Sequence, residues 1–223
     1  DVYLQGDDAI YAMLSQRFLE GDFLHAFHPY WNSGFPIFTI PFYLITHSWE
    51  KAQILLSMTA SVALIFVMYF TLGRMSLVLG IIAAYVVAFS TSLEDLTLFI
   101  GLTEPLYILL LWIAIFFFWN MAQTQRPKYY ALSGIFFGLA YLIRTDAAYA
   151  ILTGFILLIL TLIFDRKFKM AQSIKLIFLK GLLFSLMFFL INLPYVVVIS
   201  QNLDKPTISG KYGVLVAGHF FTP

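Results

Sequence analysis

The first 50 positions of the chain mix polar and apolar residues, and long apolar runs fill most of the chain after residue 50. Near the N-terminus the apolar residues recur three and four positions apart, which is the spacing of one helix face. The pattern predicts an amphipathic helix from Asp7 to Glu20, with Asp7 or Asp8 as a natural N-cap and Gly21 as a natural stop. Its apolar face is Ile10, Tyr11, Leu14 and Phe18, and its polar face is Ser15, Gln16, Arg17 and Glu20.

A stretch rich in aromatic residues, proline and glycine follows at 27–36. Because tyrosine and tryptophan prefer the boundary between lipid and water, we expect this stretch to be a loop at the membrane interface. Pro36 and Pro41 bracket a short apolar run that ends near Thr46. That run is too short to cross a bilayer, and we interpret it as a second interfacial segment.

Six apolar runs after residue 50 are candidate membrane spans. A crossing takes about 20 residues, so the second, third and fourth runs are short by this measure. Short helices that end in polar residues are typical of the lining of a water-filled recess. The runs are Ala52–Leu72, Leu77–Ser90, Pro105–Trp119, Tyr130–Ile143, Ala147–Phe164 and Leu176–Ile199.

Composition leads to the same class of protein. Hydrophobic residues make up 61% of the 223 positions and charged residues 11%, whereas a soluble domain is about half apolar and about a quarter charged. The sequence therefore predicts an all-α integral membrane protein, a polytopic helical bundle. The chain has no cysteine, which excludes disulfides and thiolate metal sites.

The basic residues predict the orientation of the bundle. Seven of the thirteen lysines and arginines lie in the loops after the first, third and fifth runs, where Asp165 is the one acidic residue. The positive-inside rule places these loops in the cytoplasm and the others on the exoplasmic side. We therefore expect an exoplasmic loop with interfacial helices at 1–50, a transmembrane bundle at 51–199 and the start of an exoplasmic region at 200–223.

Three groups of charged residues fall on the predicted exoplasmic side. Each has a simple structural interpretation, as a helix cap, a solvated turn or a local ion pair. An arginine near the headgroup level also needs an anion, and Arg144 has two candidates, Asp146 and a lipid phosphate. The groups are Asp7 with Asp8, then Glu94 and Asp95 with Glu104, and Arg144 with Asp146.

Together these residue types suit transfer from a lipid-phosphate donor. Such a reaction needs a carboxylate that takes the proton of an acceptor hydroxyl and a cation that stabilises the departing phosphate. A helix N-terminus would lower the pKa of Asp7 or Asp8 and keep the carboxylate ionised.

Several short motifs resemble the polyprenol-dependent glycosyltransferases of the C superfamily. They are most like the bacterial and archaeal relatives of the protein O-mannosyltransferases and of the lipid A aminoarabinose transferase, and they follow the chain in order. The motifs are Gly6-Asp7-Asp8-Ala9-x-Tyr11, Phe35-Pro36 with Pro41, Thr103-Glu104-Pro105-Leu106-Tyr107, Gly138-Leu139-Ala140-Tyr141-Leu142-x-Arg144 and Ile208-Ser209-Gly210-Lys211.

The resemblance implies a first membrane helix upstream of Asp1, a further C-terminal region and a catalytic acid at Asp7 or Asp8. The second acid of the family's pair is usually Glu, so Asp8 departs from the pattern and the choice of base stays open. Basic residues would bind the donor phosphate, which suggests Arg144 and Lys211. Later exoplasmic acids would bind the acceptor or, in some branches, a divalent metal, and metal use is left open. These acids are Glu94, Asp95, Glu104 and Asp146.

The implied activity is inverting transfer of a sugar from a polyprenyl-phosphate donor to a hydroxyl of a protein, glycolipid or polysaccharide. The implied place is the exoplasmic face of a prokaryotic cytoplasmic membrane, with no nucleic-acid partner. The alternatives are a transporter or flippase of lipid-linked sugars and a non-catalytic membrane subunit. Convergence of Asp7, Glu104 and Arg144 in one outward recess would favour the enzyme. Charges along a path through the bilayer would favour transport, and dispersed charges a scaffold.

Overall fold

The computed structural model describes residues 6–90, 103–124, 126–153, 156 and 170–208. This part of the chain is helical and contains no strand, which confirms the predicted all-α class. Residues 147–153 form a further helical segment after α7. The helices are α1 (Asp7–Glu20), α2 (Phe23–Ala26), α3 (Gly34–Thr46), α4 (Trp49–Gly73), α5 (Leu77–Ala88), α6 (Glu104–Thr124), α7 (Pro127–Ile143) and α8 (Met170–Asn202).

Among the described residues, three helical stretches are long and apolar enough to cross a membrane: Trp49–Gly73, Glu104–Met121 and Gly181–Asn202. The expectation that the third run is short is wrong, because α6 has 21 residues and is about 32 Å long. Polar Asn120 does not end this helix, since its amide donates to the carbonyl of Phe116 (2.6 Å) within the same helix. With 12 and 17 residues, α5 and α7 are shorter than a full crossing. The fifth run lies mostly outside the described residues.

The long helices pack side by side in the order α8, α7, α6, α4, α5. A two-residue connection turns α6 back into α7, and Leu106 and Ile143 share one core cluster as a result. By contrast, α8 runs in the same direction as α7, and Asn202 at its end donates to the carbonyl of Leu24 (3.1 Å). The starts of α4 and α6 and the ends of α7 and α8 therefore meet at one end of the bundle, which we call the α1 end.

Helix α3 fixes α1 onto this end by packing against α4 and α7. The close approach requires glycine at position 34, where a Cβ atom would lie 2.6 Å from the carbonyl carbon of Leu142. Phe35 is fully buried, and its ring meets that of Tyr11 edge-on at 5.3 Å. The expectation of an interfacial loop at 27–36 is therefore wrong for its second half, because Asn32 and Phe35 belong to the protein interior.

Helix α1 has the predicted bounds, and Gly21 ends it with a φ of 82°. The predicted N-cap is wrong, because Gly6 takes that position and both aspartates lie in the first turn. Ser15 is also misplaced by the sequence pattern. It is fully buried, and its hydroxyl can be accommodated there because it donates to the carbonyl of Tyr11 (2.7 Å).

The interface between α7 and α8 yields a matched pair of stability predictions. A Cβ at Gly134 would lie 2.3 Å from the carbonyl oxygen of Phe184, so Gly134→Ala forces the two backbones apart. We expect a loss of about 1–3 kcal/mol of unfolding free energy, visible as a lower thermal midpoint in detergent. In the control Gly181→Ala, the new methyl group meets nothing within 4 Å, and we expect equal or higher stability. Equal midpoints for both variants would contradict this account of the interface.

Candidate active site at the α1 end

Asp7 is an exposed carboxylate whose orientation is set by a tryptophan. The indole Nε1 of Trp31 donates to its Oδ1 (3.1 Å). Trp31 is itself held by His28, because its backbone N–H donates to His28 Nδ1 (3.3 Å) and the two rings pack 4.8 Å apart. Within the described residues, Asp7 Oδ2 has no hydrogen-bond donor, so one oxygen is oriented and the other is left for a ligand.

Asp8 lies in a different environment, although it is the next residue. Its Oδ1 is buried and has no donor among the described residues, and Gln53 Nε2 donates to its backbone carbonyl instead (3.0 Å). Burial, and then the charge of Asp7, raise the pKa of Asp8 to about 6. The predicted lowering is therefore wrong for Asp8, because desolvation and like-charge repulsion outweigh the favourable helix N-terminus.

This pKa shift sets a pH dependence of stability. Between its ordinary pKa near 4 and the folded value of about 6, Asp8 binds a proton in the folded state but not in the unfolded state. Folded protein should therefore gain stability as the pH falls from 7 toward 5, by about 1 kcal/mol after screening of this half-exposed group. Denaturant unfolding at several pH values measures it, and Asp8→Asn should flatten the profile. An identical slope in that variant would assign the pH dependence to other groups.

Arg144 forms a network with two carboxylates. The residue directly follows α7 in extended backbone conformation, which directs the chain away from the helix. Its Nη1 donates to Glu104 Oε1 in the first turn of α6, while Nη2 and Nε donate to Asp146 Oδ2 at 3.0 and 3.2 Å. The side chains of Glu104 and Arg144 are about one third exposed. Asp146, one of the two anions that the sequence suggested for Arg144, is a partner in the structure. Glu104, 40 positions away, is a second partner that the sequence pattern did not indicate.

Tyr11 links the aspartates to this network. It is 7% exposed and packs in the same core cluster as Leu106 and Ile143, which lie close in sequence to Glu104 and Arg144. Burial raises the pKa of Tyr11, the charges of Asp7 and Glu104 add to the effect, and the charge of Arg144 opposes it. The hydroxyl of Tyr11 therefore feels the charges of the aspartates and those of the Glu104–Arg144 pair. Sequence reasoning did not select Tyr11, although its position four residues after Asp7 places both on one helix face.

The remaining sequence-predicted site residues cannot be placed in this arrangement. Glu94, Asp95 and Lys211 lie outside the described residues. In the described part of the chain, no three metal-ligating His, Asp or Glu side chains come together. Glu104 and Asp146 each bind the guanidinium of Arg144, through Oε1 and Oδ2 respectively.

One family model matches the chain, and no curated protein and no solved structure does. The matching family is described as dolichyl-phosphate-mannose-protein mannosyltransferase, and the match spans residues 34–195. It includes Glu104, Arg144 and Asp146, whereas Asp7, Asp8 and Lys211 lie outside it. Because the match covers well over half of the 223 residues, the chain belongs to this family of membrane glycosyltransferases of the C superfamily.

Proposed function

We propose that this protein transfers a sugar from a polyprenyl-phosphate donor to an acceptor hydroxyl at the α1 end of the bundle. The observation that carries the proposal is the convergence of Asp7, Tyr11 and the Glu104–Arg144–Asp146 network at that end. A carboxylate with an open oxygen and a cation at the membrane surface are the two groups that this reaction needs.

Asp7 is the better placed of the two aspartates to act as the base. It is exposed, its Oδ1 is oriented by Trp31, and its Oδ2 is open to an acceptor. Asp8 is half-buried, and its Oδ1 lies in the interior. A base must lie within hydrogen-bond reach of the proton that it takes, which favours the accessible carboxylate.

In the proposed reaction, the acceptor oxygen attacks the anomeric carbon while Asp7 takes the hydroxyl proton. A new glycosidic bond forms, and the bond between the anomeric carbon and the phosphate oxygen breaks. The bonding electrons leave with the polyprenyl phosphate, which gains a negative charge. Attack opposite to the leaving group inverts the configuration at the anomeric carbon.

Arg144 is the proposed partner of that departing phosphate. A guanidinium has five N–H donors, and the two carboxylates use three of them. The remaining two are on Nη1 and Nη2, and they suit a phosphate. The described part of the site is nevertheless negative, because it combines one guanidinium with the four carboxylates of Asp7, Asp8, Glu104 and Asp146. This net charge repels a phosphate. A second cation is therefore part of the proposal, and Lys211 is the candidate that the sequence offers.

We place the α1 end on the exoplasmic side because basic residues are concentrated in the loops at the other end of the bundle. The cytoplasmic membrane of a prokaryote, and a protein, glycolipid or polysaccharide acceptor, belong to the same proposal. The flippase alternative is less favoured, because the described ion pairs of Arg144 lie at one end rather than along a path through the bundle.

The test is transfer of radiolabelled sugar from a synthetic polyprenyl-phosphate donor by the full-length protein in liposomes. We expect labelled acceptor to accumulate only when donor and acceptor are on the same side of the membrane as the α1 end. Movement of intact labelled donor across the bilayer without product would instead identify a flippase. Absence of both would favour a non-catalytic subunit.

A further inference from the structure

A groove opens at the end of the bundle opposite to the α1 end. It lies between the last turns of α4, the start of α5 and the second half of α6, and its volume is about 560 Å³, a typical size for a ligand site. Its walls are mainly apolar and include Phe70, Leu77 and Phe117. Among the lining residues that the structure describes, Arg74 is the charged one, and none is acidic.

Arg74 is oriented but keeps hydrogen-bond donors for a ligand. Its Nη1 donates to the side-chain oxygen of Asn120, and its guanidinium carbon lies 4.3 Å from the centre of the Phe116 ring. In the part of the chain that the structure describes, no carboxylate pairs with Arg74. Since Arg144 is shared by two carboxylates, the two arginines differ in what they can bind. A guanidinium without an acidic partner is suited to a phosphate.

The groove also opens sideways, toward lipid. Phe70 and Leu77 are 60% and 61% exposed on the outside of the bundle, where the acyl chains of a bilayer would contact them. Arg74 follows the last turn of α4, a helix of 25 residues that is long enough to reach the headgroup level. The groove thus has a cation at headgroup depth beside apolar walls. These two features match the charged headgroup and the acyl chains of a phospholipid.

We propose that this groove binds one anionic phospholipid from the leaflet opposite to the α1 end. Its phosphate would lie against Arg74, and an acyl chain would lie between α4 and α6. The charge of the site favours this occupant, because basic pockets between membrane helices select anionic headgroups. The site is distinct from that of the sugar donor, since the bundle separates the groove from Arg144.

Native mass spectrometry of the full-length protein tests this proposal. The protein is released from nanodiscs that contain equal amounts of phosphatidylglycerol and phosphatidylcholine, and the retained lipids are counted. We expect wild type to retain phosphatidylglycerol preferentially and Arg74→Gln to retain about fivefold less of it. Arg74→Lys, which keeps the charge, should restore most of the retention.

Arg126→Gln is the matched control, because Arg126 is an exposed arginine at the same end of the bundle and does not line the groove. It should retain phosphatidylglycerol like wild type. Equal loss in both glutamine variants would assign the effect to general surface charge and overturn the site. Equal retention of the two lipids by wild type would also overturn it. A dimer that dissociates in Arg74→Gln, with no retained lipid, would identify a second copy of the chain as the occupant instead.

Discussion

Asp7→Asn is expected to lower the turnover number for sugar transfer by about 10²–10⁴, the usual contribution of a general base. The substitution preserves the size of the side chain, and the amide oxygen can still accept the hydrogen bond from Trp31. The variant loses the ability to take a proton from the acceptor hydroxyl. Donor binding should change little, because the proposed phosphate ligands are Arg144 and Lys211. Turnover and donor affinity measured separately in liposomes check this expectation.

Two further variants separate a base from a merely structural acid. Asp8→Asn should keep most of the turnover, because Asp8 Oδ1 is buried. Asp22→Asn is the matched control. Asp22 is a partly exposed acid just after the same helix, and its carboxylate pairs with His25 (2.8 Å). Loss of turnover in Asp8→Asn with activity kept in Asp7→Asn would reverse the assignment. Full activity in both variants would show that neither aspartate is the base. Their role would then be limited to a favourable interaction with the helix dipole in the first turn of α1.

The elements predicted well from sequence are those whose signals are local. The bounds of α1 follow from apolar spacing and from Gly21, and the end of α3 at Thr46 follows from the end of an apolar run. Such signals depend on a helix's own periodicity and on the residue that stops it. The pairing of Arg144 with Asp146 was accessible for the same reason, because the two residues are neighbours in sequence.

The features that pattern reasoning missed arise from packing between distant segments. The sequence pattern places Ser15 and Asn32 at the surface, but both are buried and donate to backbone carbonyls. Ser15 donates to the carbonyl of Tyr11, and Asn32 donates to that of Tyr141. The pKa of Asp8 was predicted with the wrong sign, because its burial depends on α1 lying against α4. Sequence patterns contain local propensity, whereas desolvation is a property of the assembled bundle.

Substitution of Arg144 is expected to have the second large effect on activity. A double-mutant cycle with Glu104 shows whether Arg144 binds the phosphate or only neutralises Glu104. Arg144→Gln should lower kcat/KM by about 10²–10³, in the range seen when one preorganised donor to a developing anion is removed. Glu104→Gln should lower kcat/KM only about tenfold, because Asp146 still holds the guanidinium through two hydrogen bonds. Transfer assays at several donor concentrations give kcat and KM for each variant.

The double variant Glu104→Gln with Arg144→Gln decides between two roles for the arginine. If Arg144 served only to neutralise Glu104, removing both charges would bring activity back toward wild type, because no uncompensated half-buried carboxylate would remain at position 104. If Arg144 binds the departing phosphate, the double variant should be as impaired as Arg144→Gln alone. We expect the second result, since the guanidinium has more donors than its two carboxylates use. Recovered activity would show that the network is structural and that the phosphate is bound by another cation.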